Sequence, residues 1–168
     1  MAKTLPSRTA NRSLVNMTEM VLPNHTNALG TIFGGVLMSW VDIAAAISAQ
    51  RYCGMTCVTA SIDDLHFLRP VRLGQVVNIQ AKVTSVHKTS CEITVNVEGE
   101  DTMAGTTFRI ARAQLTFVAL DDNRMPTIMP PLKVSGAQQV KLQKDAQARR
   151  KMRLKIKQQL KSTYAQFK

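Results

Sequence analysis

The stretch HTNALGTIFGGVLMSWVD, residues 25–42, sets two adjacent glycines, Gly34 and Gly35, at the head of an apolar run, with a lone carboxylate, Asp42, seven residues further on. In a helix, seven residues make nearly two turns, so Gly35 and Asp42 share a face about 10 Å apart along the axis. The first turn of such a helix presents unpartnered backbone N–H groups and the positive end of the helix dipole. Glycine there lets a ligand oxygen reach the backbone. A carbonyl laid against Gly34 and Gly35 would meet donors placed for a developing oxyanion, and its reacting carbon would face a carboxylate. The chemistry suggested is acyl transfer to water, with Asp42 as general base or nucleophile. The same residues admit a structural account: tight packing at the glycines, and Asp42 tied to an arginine or a backbone group at a subunit contact.

Residues 35, 38, 39, 42, 45, 46 and 49 share the face of Asp42 and are mostly small, so a partner helix, a substrate, or both must come close to it. The opposite face carries Val36, Trp40, Ile43 and Ile47, and its bulk is expected to pack on a sheet. Other catalytic arrangements are missing: no G-x-S-x-G elbow occurs, and no cysteine sits in a nucleophile context. Cys53, Cys57, Cys91 and the scattered His25, His66 and His87 show no zinc-finger spacing, so no metal is expected and the cysteines read as ordinary buried thiols. An odd cysteine number with no framework spacing points to a reducing compartment. The start, MAKTLPSRTANRS, lacks the apolar segment of a secretory signal. A cytoplasmic location is therefore expected, with residues 1–12 as a flexible arm.

The elements that must position these residues follow from periodicity. Residues 14–22 alternate as a strand, with Val15, Met17, Glu19 and Val21 on one side, and Pro23 and Asn24 stop it. A polar loop through Thr26, Asn27 and Gly30 leads to a helix from Gly34 or Gly35 to about Tyr52, ended by Gly54. Four β-like runs follow: TCVTASIDDLHFL up to Pro70, QVVNIQAKVTSV, CEITVNVEG, and TTFRIARAQLTFVAL, the last two joined by a hairpin at GEDTMAG. One strand, one long helix and four strands joined by short turns imply an antiparallel sheet with the helix on its apolar face, an α+β domain over residues 13–131 without βαβ units.

Residues 132–168 form a different segment. A proline-rich connector, PTIMPPLKVSG, leads into a helix in which Ala148, Met152, Ile156, Leu160 and Tyr164 fall at steps of four, with Arg149, Arg150, Lys151, Arg153, Lys155 and Lys157 on other faces. The chain's formal charge of +11 belongs mostly to this tail: residues 1–132 are nearly neutral at +1, and residues 133–168 carry +10. The distribution, with no aromatic interleaving and no recognition fold, argues against nucleic acid as the partner. Three roles stay open for the basic helix: docking on an oligomer, contact with an anionic ligand of a neighbouring subunit, or contact with an anionic membrane or nucleic acid. No run approaches the roughly 20 apolar residues that span a bilayer.

The segments VLPNHTNALGTIFGGVLMSWVDIAAAISAQRY, VTASIDDLHFLRPVRLGQVV, TFVALDDNRMPTIMPPL and AQARRKMRLK together resemble the hotdog-fold acyl-CoA hydrolases, the acyl-CoA thioesterases of bacteria and of animal cytosol. The resemblance covers most of residues 14–155. It implies a sheet wrapped around one long central helix, a dimer as the minimal unit, hexamers built from three dimers, and active sites at the dimer interface. The activity implied is hydrolysis of acyl-CoA to the free acid and coenzyme A, with no cofactor beyond CoA as part of substrate and product.

The family aspartate falls on Asp42, and the family asparagine on Asn27, which on its own reads as a turn former. The resemblance implies that Asn27 of one subunit works with Asp42 of the other, with the N–H groups around Gly34 and Gly35 polarising the thioester carbonyl. It also points to Lys88, Thr89 and Ser90 as CoA contacts. Arg69 and Arg72, either side of Pro70, could meet phosphate or an acid on a neighbour. Met38 and Phe67 are candidates for the walls of an acyl channel, or plain core. Many relatives carry an acid directly after the aspartate, where this chain has Ile43. A helical position turned about 100° from Asp42 should affect the chemistry little. Two other functions compete. One is a non-catalytic acyl-CoA sensor whose basic tail contacts nucleic acid. The other is a dehydratase using a histidine ahead of the helix, for which His25 stands in the right region but reads as structural.

Overall fold

The computed structural model describes residues 5–63 and 65–165, with side chains to residue 160. The chain divides into two compact units, Met1–Lys133 and Val134–Lys168. In the first, β1 (Arg8–Thr9) and a 3-10 turn (Ala10–Ser13) lead to β2 (Val15–Met20). A second 3-10 turn (Pro23–His25) and a loop precede α1 (Gly34–Cys53). Then follow β3 (Thr56–Ile62), β4 (Val76–Val86), β5 (Ser90–Asp101), β6 (Thr106–Leu120) and β7 (Leu132–Lys133). The five longer strands form one antiparallel sheet in the order β2-β4-β5-β6-β3.

The alternation that marks the strands is what buries them. Val77, Ile79, Ala81 and Val83 of β4, Ile93, Val95 and Val97 of β5, and Ala111, Ala113, Leu115, Phe117 and Ala119 of β6 are all buried in one core. Helix α1 packs on this sheet, so the α+β architecture and the antiparallel sheet around a single long helix stand as expected.

The buried face of α1 is only partly the expected one. Leu37, Val41, Ala44, Ala45, Ser48, Ala49 and Tyr52 are buried, while Ile43 and Ile47 are 46% and 36% exposed in the single chain. Alanines at the core let the helix axis come close to the sheet, and Leu37, Val41 and Tyr52 fill the space on either side. Of the four bulky residues of the opposite face, Val36 and Trp40 are half-buried and pack against the core, Ile43 and Ile47 are left on the outside of the subunit, and Asp42 sits half-buried at the edge of the packed face.

Two further readings need correction. Of the arm expected over residues 1–12, Arg8–Arg12 lies on the body. Strand β1 pairs in parallel with β7, Ala10 is buried, and the Arg8 guanidinium donates to the Tyr52 carbonyl. Arg12 Nε donates to the Arg51 carbonyl at 3.0 Å, and Arg51 returns a bond to the Leu14 carbonyl at 2.9 Å. Cations at the negative end of a helix dipole are favourable, and they fasten this segment to the end of α1. Gly54 closes the same end in the left-handed conformation, φ +68°. The strand expected to run to Pro70 stops at Ile62, where the acidic pair begins. The chain beyond still follows β6 through Asp63 N to the Gln114 carbonyl and Leu68 N to the Ile110 carbonyl.

The second unit contains α2 (Ala137–Ala165). Met152, Ile156 and Leu160 of its four-residue stripe are exposed. The side chain of Tyr164 lies outside the described residues. Among the described residues, no helix is long and apolar enough to cross a membrane.

Candidate active site

The N-terminus of α1 is built to leave donors open. Its N-cap is Phe33, in extended conformation and with no side-chain oxygen to cap the first turn. Val36 N and Leu37 N both turn back to the Phe33 carbonyl, at 3.0 and 3.3 Å, whereas Gly34 N and Gly35 N have no acceptor among the described residues. At Gly35 the Phe33 ring takes the place a side chain would fill, whereas beside Gly34 the Phe67 ring lies at ordinary contact distance. A Cβ on Gly35 would stand 2.7 Å from Cε1 of Phe33, and one on Gly34 would stand 3.5 Å from Cε2 of Phe67. Phe67 and Met38 are 48% and 41% exposed, so they are not plain core.

Asp42 lies two turns further along α1. Its partner is a hydroxyl rather than an arginine: Thr59 Oγ1 donates to Asp42 Oδ1 at 2.8 Å. Thr59 is on β3, the outer strand of the sheet beside β6, and the strand's register slips between Thr59 and Ser61. A bulge of this kind re-aims side chains locally. Sequence reasoning missed Thr59, because a threonine in a β-like run is unremarkable until the bulge and the helix are placed together. We expect Thr59→Val to lower kcat about tenfold with KM nearly unchanged, since hydrogen bonds to charged groups contribute about 1.5–3 kcal/mol. Thr59→Ser should recover most of the loss. Steady-state kinetics on the three proteins checks this.

Asn27 sits in a tight turn closed by a bridge between Thr26 and Ile32. Its side-chain oxygen accepts from Leu29 N at 2.9 Å, Thr31 N at 3.3 Å and Thr31 Oγ1 at 3.2 Å. The turn-forming role is thus real and occupies the oxygen. The amide N–H groups have no partner among the described residues and are available to a ligand. Asn27→Asp keeps an acceptor for the turn and removes the donor, so we expect about a tenfold to hundredfold fall in kcat with little change in melting temperature. Asn27→Ala should lower both activity and melting temperature, which thermal denaturation beside kinetics will separate.

Arg72 is brought to this turn. It bridges Thr31 through the backbone, and the neighbouring Leu73 N donates to the Gly30 carbonyl at 3.1 Å. Arg69 and Arg72 are both exposed. Lys88, Thr89 and Ser90 are placed elsewhere. They form the β4–β5 turn, with Ser90 opposite Val118 near the end of β6 and Thr89 O accepting from Ala119 N. Leu120 there pairs with Thr56, which follows the C-terminal end of α1. Nineteen residues of helix, roughly 28 Å, separate that end from Gly34, so one chain does not assemble these three residues with the glycine pair. His25 is structural: its Nδ1 accepts from Leu22 N at 3.2 Å, and its ring meets Trp40 edge-on at 5.1 Å.

The geometry therefore offers a pair of open backbone donors, a carboxylate held by a hydroxyl, and an asparagine with free amide hydrogens. Residues 29–106 match the thioesterase superfamily. An uncharacterized acyl-CoA thioester hydrolase of Bacillus subtilis is 41% identical over 76% of this chain and 74% of its own length. The acyl-CoA hydrolase of Staphylococcus aureus, solved in complex with butyryl coenzyme A and coenzyme A, superposes with a TM-score of 0.82 at 30% identity, covering 94% of this chain and 98% of that one. Variants of that enzyme with an asparagine, an aspartate or a threonine changed to alanine have been solved as well. A hexameric acyl-CoA thioesterase gives a TM-score of 0.85 at 32% identity, over 90% of this chain and 97% of that one. The mouse acyl-coenzyme A thioesterase 11 is 42% identical over 65% of this chain, which spans only 18% of that protein's length.

Proposed function

Since the chain belongs to the thioesterase superfamily, among its hotdog-fold acyl-CoA hydrolases, we propose that it hydrolyses the thioester of acyl-CoA to a free carboxylic acid and coenzyme A. The observation that carries the reading is Asp42, held by Thr59 two turns from the open N–H groups of Gly34 and Gly35. The thioester carbonyl lies against those donors. A water activated by Asp42 attacks the carbonyl carbon, its proton passes to the carboxylate, and the oxyanion forms at the helix N-terminus. Collapse expels the CoA thiolate. A thiol of ordinary acidity, pKa about 8–9, leaves readily, so the site needs no strong general acid. The asparagine, aspartate and threonine altered in the Staphylococcus aureus enzyme are the residue types of Asn27, Asp42 and Thr59, of which Asp42 and Thr59 are in contact within one chain.

The working unit in this reading is a dimer, assembled further as a hexamer. Ile43 and Ile47 on α1, with Val58 and Ile62 on the outer strand β3, are more than a third exposed in the single chain, an apolar surface that a second subunit would cover. Asn27 of one subunit then acts with Asp42 of the other. Lys88, Thr89 and Ser90, far from the glycines of their own chain, contact CoA held by a neighbour, and Arg69 and Arg72 face its phosphates. Met38 and Phe67 border the acyl group. The three free thiols support a cytoplasmic setting.

The test is thiol release from a panel of acyl-CoAs, from C2 to C18. Turnover on any member supports the reading, and the panel supplies the chain-length preference. Binding of acyl-CoA without turnover across the panel would overturn it in favour of a sensor.

A further inference from the structure

Cys53 is the last residue of α1 and Cys57 the second of β3. The left-handed Gly54 between them folds the chain back, so the two sulfurs come to 3.2 Å. A disulfide is about 2.05 Å long, so closing the pair takes a movement of only ~1 Å. The third thiol, Cys91, is wholly buried, whereas Cys53 and Cys57 keep 3% and 7% exposure.

The three thiols also differ in acidity. The hydrogen bond between the two sulfurs, in which either thiol can be the donor, lowers the Cys53 thiol, helped by the Met55 backbone and the Arg8 guanidinium and opposed by burial. The same bond and burial push Cys57 well above the ordinary thiol range, and burial does the same to Cys91. A neutral thiol against its partner sulfur favours loss of the partner's proton, and the thiolate is the form that reacts.

We infer that Cys53 and Cys57 are a modification site for hydroperoxides, Cys53 being oxidised first and Cys57 resolving it as an intrachain disulfide. The Cys53 thiolate attacks the peroxide and breaks the O–O bond, giving a sulfenic acid and releasing hydroxide, or an alkoxide from an organic peroxide. Cys57 sulfur then attacks the sulfenic sulfur, its proton leaves with the departing hydroxyl as water, and the S–S bond forms. Two thiols lose two electrons and two hydrogens, and one peroxide is reduced to two molecules of water, or to an alcohol and water.

The full-length protein, freed of reductant, is titrated with hydrogen peroxide. Its thiols are counted by alkylation after denaturation, and the peptide carrying both residues is weighed without reduction. We expect two of the three thiols to disappear together, that peptide to lose two hydrogens, Cys91 to alkylate throughout, and dithiothreitol to restore all three. In Cys57→Ser, dimedone should trap Cys53 as the sulfenic acid instead. If all three thiols still alkylate after an exposure that fully oxidises free glutathione, the inference fails. It fails equally if oxidation ends in sulfinic acid with no disulfide. The wild-type thiol count and peptide mass decide the matter even if the variant does not fold.

Discussion

Asp42→Asn is expected to lower kcat for thiol release by at least about 100-fold, the scale on which removal of a positioned general base is felt. The amide is nearly the same size as the carboxylate, and its oxygen still accepts from Thr59 Oγ1, which lies 2.8 Å away in the wild type. The helix and the hydroxyl contact therefore survive, and what is lost is the group that takes the proton. KM should move little, because in the proposed reaction the carboxylate acts on the attacking water rather than on the body of CoA. Single turnover in oxygen-18 water divides the two roles open to Asp42. Label entering the Asp42 carboxylate identifies it as the nucleophile. A general base leaves label only in the product acid.

Phe117→Ala should have the largest effect on stability, about 3–5 kcal/mol. Phe117 is among the largest fully buried side chains, on β6 opposite Cys91 of β5 and Thr59 of β3. Alanine there leaves a cavity between the central strands and α1, which neighbouring strands cannot collapse to fill. Urea denaturation at fixed protein concentration measures the change, the concentration being held because association shifts apparent stability. A loss below about 1 kcal/mol would contradict the packing described here.

Much of this was readable in the residues. Val77, Ile79, Ala81 and Val83 alternate without a break, and the sheet buries all four. Gly34 and Gly54 bracket α1 because one opens its first turn and the other closes its last. Three features were not readable, each for a physical reason. The β1–β7 ladder has two residues per strand, too few for any periodicity. The face of α1 was misread because bulk was taken as a mark of burial. The helix puts alanines against the sheet, keeps Val36 and Trp40 packed against the core, and leaves Ile43 and Ile47 outside, where a second chain can use them. Thr59 could not be found because its role depends on a bulge, and a bulge changes register without changing the pattern of residue types. Asn27 was legible by its own residue type as a turn former, and as a site residue only through the family resemblance. The structure shows that its oxygen makes the turn and its nitrogen does not.

The claim that an acyl-CoA thioester is cleaved at a site shared between subunits is tested most directly by mixing two crippled proteins. Asp42→Asn and Asn27→Asp subunits are unfolded, combined in equal amounts and refolded together, with each carrying a different tag so that mixed dimers can be isolated and counted. A mixed dimer holds one site with both residues intact, and half of randomly assorted dimers are mixed, so thiol release should return to about a quarter of the wild-type rate. If mixed dimers form and the mixture stays as inactive as its two parents, Asp42 and Asn27 do not act across the subunit boundary and the shared site is wrong.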